Sequence, residues 1–281
     1  MTQTAIITGA SSGIGAAFAR RLAADGYNLL LHGRREPLLF ALAQELENRH
    51  GINAQVHCAE LADPGALARL EALVRETTDL RILINNAGYS RLETFHEDDI
   101  NAQEAIIRVH VLASVRLAHA AIGVMLHHNG GAIINVSSVA AFTPAPRNAT
   151  YSATKAYLNA FSESLDFDVR PLGIRIQALC PGFTRTDFHA RMGIDTTQPA
   201  FRHFMAPEVV VEESLRCLRR GTVICIPGVS YRVVALGARV IPRRLYYWIA
   251  RYAGRHNPAR KPRQQGAVHP SVQGGSREGP Q

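Results

Sequence analysis

The sequence predicts an α/β protein with a single Rossmann-type, doubly wound, seven-stranded parallel sheet flanked by helices. Short apolar runs alternate with amphipathic stretches of helical length, which is typical of repeated βαβ units around a buried parallel sheet. Hydrophobic residues make up 47% of the 281 residues and charged residues 19%, so the chain can bury a large core. Because no shift in composition separates a second domain, we expect one domain over residues 1–228.

The apolar runs and the stretches between them define the elements. The predicted strands are Thr4–Thr8, Asn28–His32, Ala54–Ala59, Leu80–Asn85, Gly131–Ser137, Ile174–Cys180 and Thr222–Pro227. The predicted helices are Ile14–Asp25, Glu36–His50, Pro64–Thr77, Asn101–His128, Ala149–Arg170 and Pro207–Arg220. Two helix ends carry their own signals, because Gly26 follows the first helix as a C-cap glycine and Pro64 follows Asp63 in a first helical turn.

Two segments depart from the alternation. Residues 183–207 lack a clear period, and such a long irregular connection predicts a lid over a site. Residues 254–281 are polar, rich in Gly, Pro and Gln, and without apolar periodicity, which predicts a disordered tail.

The positive charge is concentrated near the C-terminus. The whole chain has a net charge of +8, and residues 216–281 contain 13 Lys and Arg with a single acid, Glu278. Charge confined to a terminal segment is typical of a solubilising tail or of contact with a membrane surface. We therefore expect no nucleic-acid partner.

The cysteines and the N-terminus bear on the compartment. The four cysteines show no metal-type spacing and fall in predicted core elements, so we expect reduced packing residues and no metal site; they are Cys58, Cys180, Cys217 and Cys225. The N-terminus has no secretory signal pattern, and no uninterrupted apolar run reaches the roughly 18 residues that cross a bilayer. These observations favour a cytoplasmic protein.

A glycine-rich loop follows the first predicted strand and opens the first helix. Glycines there allow a tight turn and a close approach to a pyrophosphate, while backbone N–H groups and the helix dipole favour its negative charge. The position after the first strand makes this loop a candidate dinucleotide site. Its candidate binding residues are Gly9, Ser11, Ser12, Gly13, Ile14 and Gly15.

The GxxxGxG spacing of this loop resembles that of the short-chain dehydrogenase/reductase family. Further motifs resemble the family in order and spacing over roughly residues 4–190: Asn85-Asn86-Ala87-Gly88, Ser138, Tyr151-x-x-x-Lys155 and Pro181-Gly182. The resemblance implies a nicotinamide cofactor and chemistry at an alcohol or carbonyl group. It makes these residues candidate site residues, together with Thr184 and Thr186 as cofactor contacts.

The end of the second strand predicts which dinucleotide binds. An acid there would accept hydrogen bonds from the ribose hydroxyls of NAD, but this chain has Arg34 and Arg35 instead. Two guanidinium groups can bind the 2′-phosphate of NADP, and solvated surface charge is the alternative for either arginine. After the third strand stand Glu60 and Leu61, where the family usually has Asp and an apolar residue near the adenine.

Tyr151 and Lys155 are the candidate reacting pair. Residues four apart lie on one face of a helix, and a nearby ammonium lowers the pKa of a phenol from its usual value of about 10. By resemblance, Tyr151 is the acid/base, Lys155 lowers its pKa and contacts the nicotinamide ribose, and Ser138 orients the carbonyl. Ser137 is the alternative to Ser138.

His110 occupies a position where the family commonly has an asparagine, whose backbone carbonyl helps to hold a water next to the lysine. A backbone contact survives the change of side chain. The imidazole either joins the proton relay as a candidate catalytic residue, or it is a packed histidine satisfied by local bonds.

Residues 229–253 form a basic amphipathic extension that Pro242 divides into two short helices. Arginines lie there among aliphatic and aromatic residues, including the single Trp248. Three alternatives fit this composition: peripheral membrane contact through residues 230–253, a cover over the pocket, or a subunit contact.

Together these motifs predict an NADP-dependent enzyme that reversibly reduces a ketone or aldehyde, with a hydrophobic or acyl-type substrate. A 3-oxoacyl thioester reductase acting on acyl-carrier protein or CoA derivatives is the alternative enzyme. A non-catalytic NADP-binding sensor or scaffold is the alternative of another class. We further expect a homodimer or homotetramer.

Overall fold

Seven parallel strands form one sheet in the order β3-β2-β1-β4-β5-β6-β7. In the computed structural model, which describes residues 3–91, 93–128, 130–188 and 204–255, the strands are β1 Thr4–Thr8, β2 Asn28–Gly33, β3 Ala54–Cys58, β4 Leu80–Asn85, β5 Gly131–Val136, β6 Ile174–Leu179 and β7 Ile224–Cys225. The strand order reverses between β1 and β4, so the predicted doubly wound fold is confirmed.

The helices flank this sheet on both faces. They are α1 Gly13–Ala24, α2 Glu36–His50, α3 Pro64–Glu76, α4 Ile100–Ile107, α5 Ala113–Leu126, α6 Ala149–Val169, α7 Pro207–Arg219, α8 Val229–Val240 and α9 Arg243–Arg255. A π-helical turn, Arg108–Leu112, joins α4 to α5 and interrupts the long helix that the sequence predicts. The last strand is shorter than its predicted range, since only Ile224–Cys225 pairs with β6.

Alternate residues of the strands point to opposite faces of the sheet and pack in two hydrophobic cores. Ile7 and Leu31 pack with α1, α2 and α7 on one face of the sheet, and Phe18 is the largest fully buried side chain there. Ile6 and Leu30 point to the other face, where they pack with α3, α5 and α6. Burial on both faces explains why the strands are continuous apolar runs.

Local signals fix the helix ends as expected. Gly26 follows α1 with φ +83°, a conformation that suits glycine. At the start of α3 the Asp63 carboxylate accepts a hydrogen bond of 2.6 Å from the backbone N–H of Ala66, and Pro64 occupies the first turn.

The segment Ile100–Leu126 is long and apolar enough to cross a membrane by length and composition alone. However, 56% of its most apolar window is buried inside the protein. Its residues Val109 and Leu117 belong to the second core. This segment is therefore explained as a core helix of the domain.

Four sequence expectations either concern residues outside the described part of the chain or differ from the structure. Of the predicted lid 183–207, residues 189–203 lie outside the described residues, as does the predicted tail from residue 256 onward. Residues 254 and 255 continue α9, so the extension is two residues longer than predicted. Cys180 and Cys225 are buried, but the prediction of a core position is wrong for the exposed Cys58.

Candidate active site

The carboxyl ends of the strands open into a cleft of about 720 Å³ at the switch point of the sheet. Most of the predicted site residues line it: Gly9, Ser11, Ser12, Gly13, Ile14, Arg34, Arg35, Glu60, Leu61, Asn86, Ala87, Gly88, Ser138, Tyr151, Lys155, Pro181, Gly182, Thr184 and Thr186. Gly15, Asn85 and His110 do not line the cleft. The sheet thus brings motifs from across the sequence to one edge.

The glycine loop is held against the segment after β4. Thr8 Oγ1 accepts hydrogen bonds from the backbone N–H groups of Asn86 (2.9 Å) and Ala87 (3.0 Å), and Asn86 Nδ2 donates to the carbonyl of Gly9 (3.1 Å). Gly9 has φ +67°, and a Cβ there would lie 2.9 Å from the Ala87 Cα. Only glycine allows this approach, which forms the floor of the cleft.

Two of the predicted cofactor residues, Asn85 and Gly15, have structural contacts of their own. The buried Asn85 side chain donates to Asn135 Oδ1 (2.9 Å), and Asn135 Nδ2 donates to Ser162 Oγ (2.9 Å). This chain of bonds links β4, β5 and α6. A Cβ at Gly15 would collide with the carbonyl of Gly9, so Gly15 is required for packing of the loop on α1.

Arg34 and Arg35 lie at one end of the cleft but have different partners. Arg34 pairs with Glu60 at 2.9 Å and lies over the Tyr89 ring, with more than half of its side chain exposed. Arg35 donates to Ser11 Oγ (2.9 Å) and to Ser12 Oγ (2.6 Å). Arg35 therefore holds its charge directly beside the glycine loop.

Ser138 and Tyr151 meet at the other end of the cleft. Burial raises the pKa of Tyr151, and its hydrogen bond with Ser138 acts in the opposite direction. The neighbouring Ser137 is turned away, because its hydroxyl donates to the backbone carbonyl of Lys155 (2.8 Å). Of the two serines, Ser138 is thus the one whose side chain contacts Tyr151.

Lys155 is buried one helical turn after Tyr151. Its ammonium donates to the carbonyl of Val136 (2.7 Å) and lies 5.6 Å from the centroid of the Tyr151 ring. Burial lowers the pKa of Lys155 to about 8. We expected Lys155 to lower the pKa of Tyr151. In the described part of the chain, burial is the largest effect on the Tyr151 phenol and raises its pKa.

His110 lies in the π-helical turn behind the cleft. Its Nε2 accepts from the backbone N–H of Tyr89 (3.1 Å), and its Nδ1 lies 2.9 Å from Thr154 Oγ1. Its backbone carbonyl accepts from Ser114 Oγ (2.8 Å). Burial, and secondarily the charge of Lys155, holds the pKa of His110 well below its usual range. This geometry favours the packed histidine over the proton relay.

Sequence reasoning missed several residues that line the cleft. Phe188, Tyr231 and Val234 contribute apolar surface, and His32 lies under the end where Arg34 and Arg35 stand. Phe188 falls inside the predicted lid, so the sequence could have identified it as a residue that lines the cleft. Tyr231 and Val234 of α8 fold back over the cleft, which agrees with the alternative that the extension covers the pocket, although no local pattern singles out these two residues.

A Rossmann-type sheet with a glycine-loop cleft at its switch point is typical of a dinucleotide-binding protein. The sequence profile of the short chain dehydrogenase family matches residues 3–196. This chain belongs to that family.

Relatives and solved structures extend the likeness. Sulfoacetaldehyde reductase of Chromohalobacter salexigens is 36% identical over 193 residues, which are 67% of this chain and 75% of the relative. A short-chain dehydrogenase from Sphingobium yanoikuyae in complex with NADPH has a TM-score of 0.77 and 33% identity, covering 95% of this chain and 99% of that one. A bulky-bulky ketone specific alcohol dehydrogenase from Comamonas testosteroni has a TM-score of 0.74 and 30% identity, covering 95% and 97%.

Proposed function

We propose that this protein is an NADPH-dependent oxidoreductase that reduces a hydrophobic ketone or aldehyde to the alcohol, and catalyses the reverse reaction. One observation carries the proposal: Ser138, Tyr151 and Lys155 lie at one end of a single cleft whose other end holds Arg34 and Arg35. A dinucleotide is long enough to contact both ends at once. The similarity to an NADPH complex supports the choice of cofactor.

The residues of the cleft fit such a cofactor. Gly9 allows the glycine loop to lie close to the segment after β4, and Ser11, Ser12 and Gly13 line the cleft at the start of α1, where the helix dipole favours phosphate. Arg35 is already oriented beside Ser11, which supports recognition of a 2′-phosphate by charge-assisted bonds. Glu60, Leu61 and the segment 86–88 complete the binding surface.

Bound NADPH supplies the hydride for the reduction. The Ser138 hydroxyl holds the carbonyl oxygen of the substrate, and the Tyr151 phenol donates a proton to the same oxygen as negative charge develops on it. The Lys155 ammonium stabilises the phenolate left behind and would hold the nicotinamide ribose. Burial raises the pKa of Tyr151, and in this mechanism the positive charge of Lys155 opposes that effect when the phenolate forms.

The substrate end of the cleft is apolar. Its walls include Phe188, Tyr231 and Val234, together with Ala145 and Pro146 before α6. Such walls favour a hydrophobic substrate over a small charged one. The likeness to a bulky-bulky ketone specific alcohol dehydrogenase supports a bulky ketone. A cytoplasmic location and a homodimer or homotetramer stay predictions.

A spectrophotometric panel tests the proposal. NADPH oxidation is followed with a bulky ketone, an aliphatic aldehyde and a 3-oxoacyl thioester, for the wild type, Tyr151→Phe and Tyr157→Phe. We expect the wild type to turn over the bulky ketone and Tyr151→Phe to lose about a thousandfold in kcat. Tyr157→Phe is expected to keep the wild-type rate, because its ring stacks on Phe161 outside the cleft.

Each other outcome has its own meaning. If the enzyme prefers the 3-oxoacyl thioester, its substrate belongs to the alternative class and is not a simple ketone. Tight NADPH binding without turnover of any carbonyl compound supports the non-catalytic sensor. Full activity of Tyr151→Phe removes the proposed mechanism.

A further inference from the structure

The geometry points to a membrane-binding surface on α8 and α9: we infer that this helix pair docks on an anionic lipid bilayer, next to the mouth of the cleft. The pair is called here the C-terminal surface, residues 229–255. This surface has two apolar faces that the described chain leaves uncovered, and positive charge surrounds them.

Helix α8 is apolar on two opposite sides. Tyr231, Ala235 and Ala238 lie on the side that packs on the protein. A second stripe at helical spacing lies opposite and is between 63% and 73% exposed; it consists of Val229, Val233, Leu236 and Val240. Four aliphatic residues in one exposed stripe exceed the scattered apolar residues that are ordinary on a soluble surface.

Helix α9 repeats the arrangement. Among residues 243–252 of this helix, whose burial the structure describes, only Tyr246 and Ala250 are partly buried. The Tyr246 hydroxyl donates to the carbonyl of Pro144 (2.7 Å). An apolar stripe at spacings of three and four residues lies on another side, 43% to 65% exposed; it consists of Leu245, Trp248, Ile249 and Tyr252. Trp248 and Tyr252 stack with their ring centroids 5.9 Å apart.

The charge of the C-terminal surface selects the partner. Residues 229–255 contain six arginines and no Asp or Glu. Arg232 pairs with Glu213, but Arg243, Arg244 and Arg251 are exposed, and helical spacing places Arg244 and Arg251 next to the α9 stripe. A second copy of this surface would bring like charges together, whereas anionic lipid headgroups complement them. Trp and Tyr beside Arg are also typical of the headgroup level of a bilayer.

The surface adjoins the substrate end of the cleft. Tyr231 and Val234 of α8 line the cleft, while the α8 stripe lies on the opposite side of the same helix. Arg239 lies 5.0 Å from the centroid of the Phe142 ring, in the loop after Ser138. Docking would hold the mouth of the cleft close to the lipid, from which a hydrophobic carbonyl substrate enters; this last step rests on the proposed function.

Vesicle flotation of the full-length protein tests the docking without any activity measurement. We expect the wild type to float with phosphatidylglycerol-containing vesicles at least about tenfold more than with phosphatidylcholine vesicles, and to be released when salt rises from about 0.1 M to about 1 M. Absence from the phosphatidylglycerol fraction at low salt overturns the proposal, even if the enzyme reduces ketones.

Paired variants locate the surface. The double substitution Trp248→Ser and Ile249→Ser removes part of the α9 stripe, and Phe40→Ser removes a similarly exposed aromatic residue on α2. We expect the double variant to lose flotation about tenfold or more, with Phe40→Ser unchanged. Arg244→Gln with Arg251→Gln is expected to weaken flotation at low salt, while Arg49→Gln on α2 has no effect.

Two readouts separate docking from its alternatives. Circular dichroism and the rate with a water-soluble ketone are expected to be unchanged in the Trp248 and Ile249 variant, since neither residue lines the cleft. Light scattering gives the subunit number. If the double variant dissociates into smaller species and floats like the wild type, the surface is a subunit interface and the inference is wrong.

Discussion

His110 Nδ1 lies 2.9 Å from Thr154 Oγ1, and that hydroxyl in turn donates to the backbone carbonyl of Tyr151 (2.9 Å). The imidazole is therefore bonded to the helix that carries Tyr151 and Lys155. Its other nitrogen accepts from the backbone N–H of Tyr89. A neutral imidazole with one donor and one acceptor nitrogen satisfies both contacts, which leaves neither nitrogen available for a proton relay.

The substitution His110→Asn tests this positioning role. We expect an unchanged pH–rate profile, because the pKa of His110 lies well below its usual range and the ring stays neutral. The free energy of unfolding is expected to fall by about 1–3 kcal/mol, since a buried N–H or hydroxyl loses its partner. Chemical denaturation measures the loss, with the exposed His119→Asn as the control. If one limb of the pH–rate profile disappears in His110→Asn, the imidazole takes part in the proton relay.

Lys155 is expected to set the alkaline limb of that profile. Burial lowers its pKa to about 8, so the ammonium is present below that pH and lost above it. We expect kcat/KM for ketone reduction to be constant near neutrality and to fall about tenfold per pH unit above about pH 8. Steady-state rates from pH about 6 to about 10 check this. A flat profile would show that the charge of Lys155 is not needed.

Arg35 is expected to contribute more than Arg34 to the preference for NADPH. Arg35 is oriented by Ser11 and Ser12 and reaches Asp187 at a longer 3.3 Å, whereas Arg34 is paired with Glu60 at 2.9 Å and must exchange that closer partner for a phosphate. We expect Arg35→Ala to raise KM for NADPH about 10- to 100-fold and Arg34→Ala to raise it less.

KM for NADH, which lacks the phosphate, is the internal reference for both variants, and it is expected to change little. The exposed Arg49→Ala on α2 controls for a general loss of positive charge. An equal rise in KM for NADH and NADPH would contradict recognition of the 2′-phosphate.

His32 makes the stability of the fold sensitive to acid. It is buried against His57, with ring centroids 6.0 Å apart, and burial lowers its pKa to about 4. The unfolded chain binds this proton near pH 6.5 and the folded chain does not, so the stabilisation is complete above pH 6.5 and is lost as pH falls toward 4. At about pH 5 the loss is roughly 2 kcal/mol.

Denaturation of His32→Leu at about pH 7 and about pH 5 measures that contribution. Between these two pH values, the free energy of unfolding of the variant is expected to fall by roughly 2 kcal/mol less than that of the wild type. The exposed His96→Leu is expected to behave like the wild type. Equal losses in all three proteins would show that His32 takes up its proton in the folded state.

The sequence by itself determined the features that depend on neighbouring residues. The alternation of apolar runs and amphipathic stretches predicted the sheet and most element bounds to within one residue, and the glycine spacing predicted the loop between β1 and α1. Tyr151 and Lys155 share a helix face because they are four residues apart. Parallel strands present their carboxyl ends at one edge, and most of the motifs that follow them line the cleft there.

Only the tertiary structure decided which members of each motif face the cleft. Asn85 turns to Asn135 in β5 and Asn86 to the glycine loop, although the two are adjacent. Partners far apart in sequence likewise fix Arg35, His110 and the return of α8 over the cleft. Periodicity reports which side of an element is apolar, but not what covers that side. That is why the exposed stripes of α8 and α9 became visible only in the folded chain.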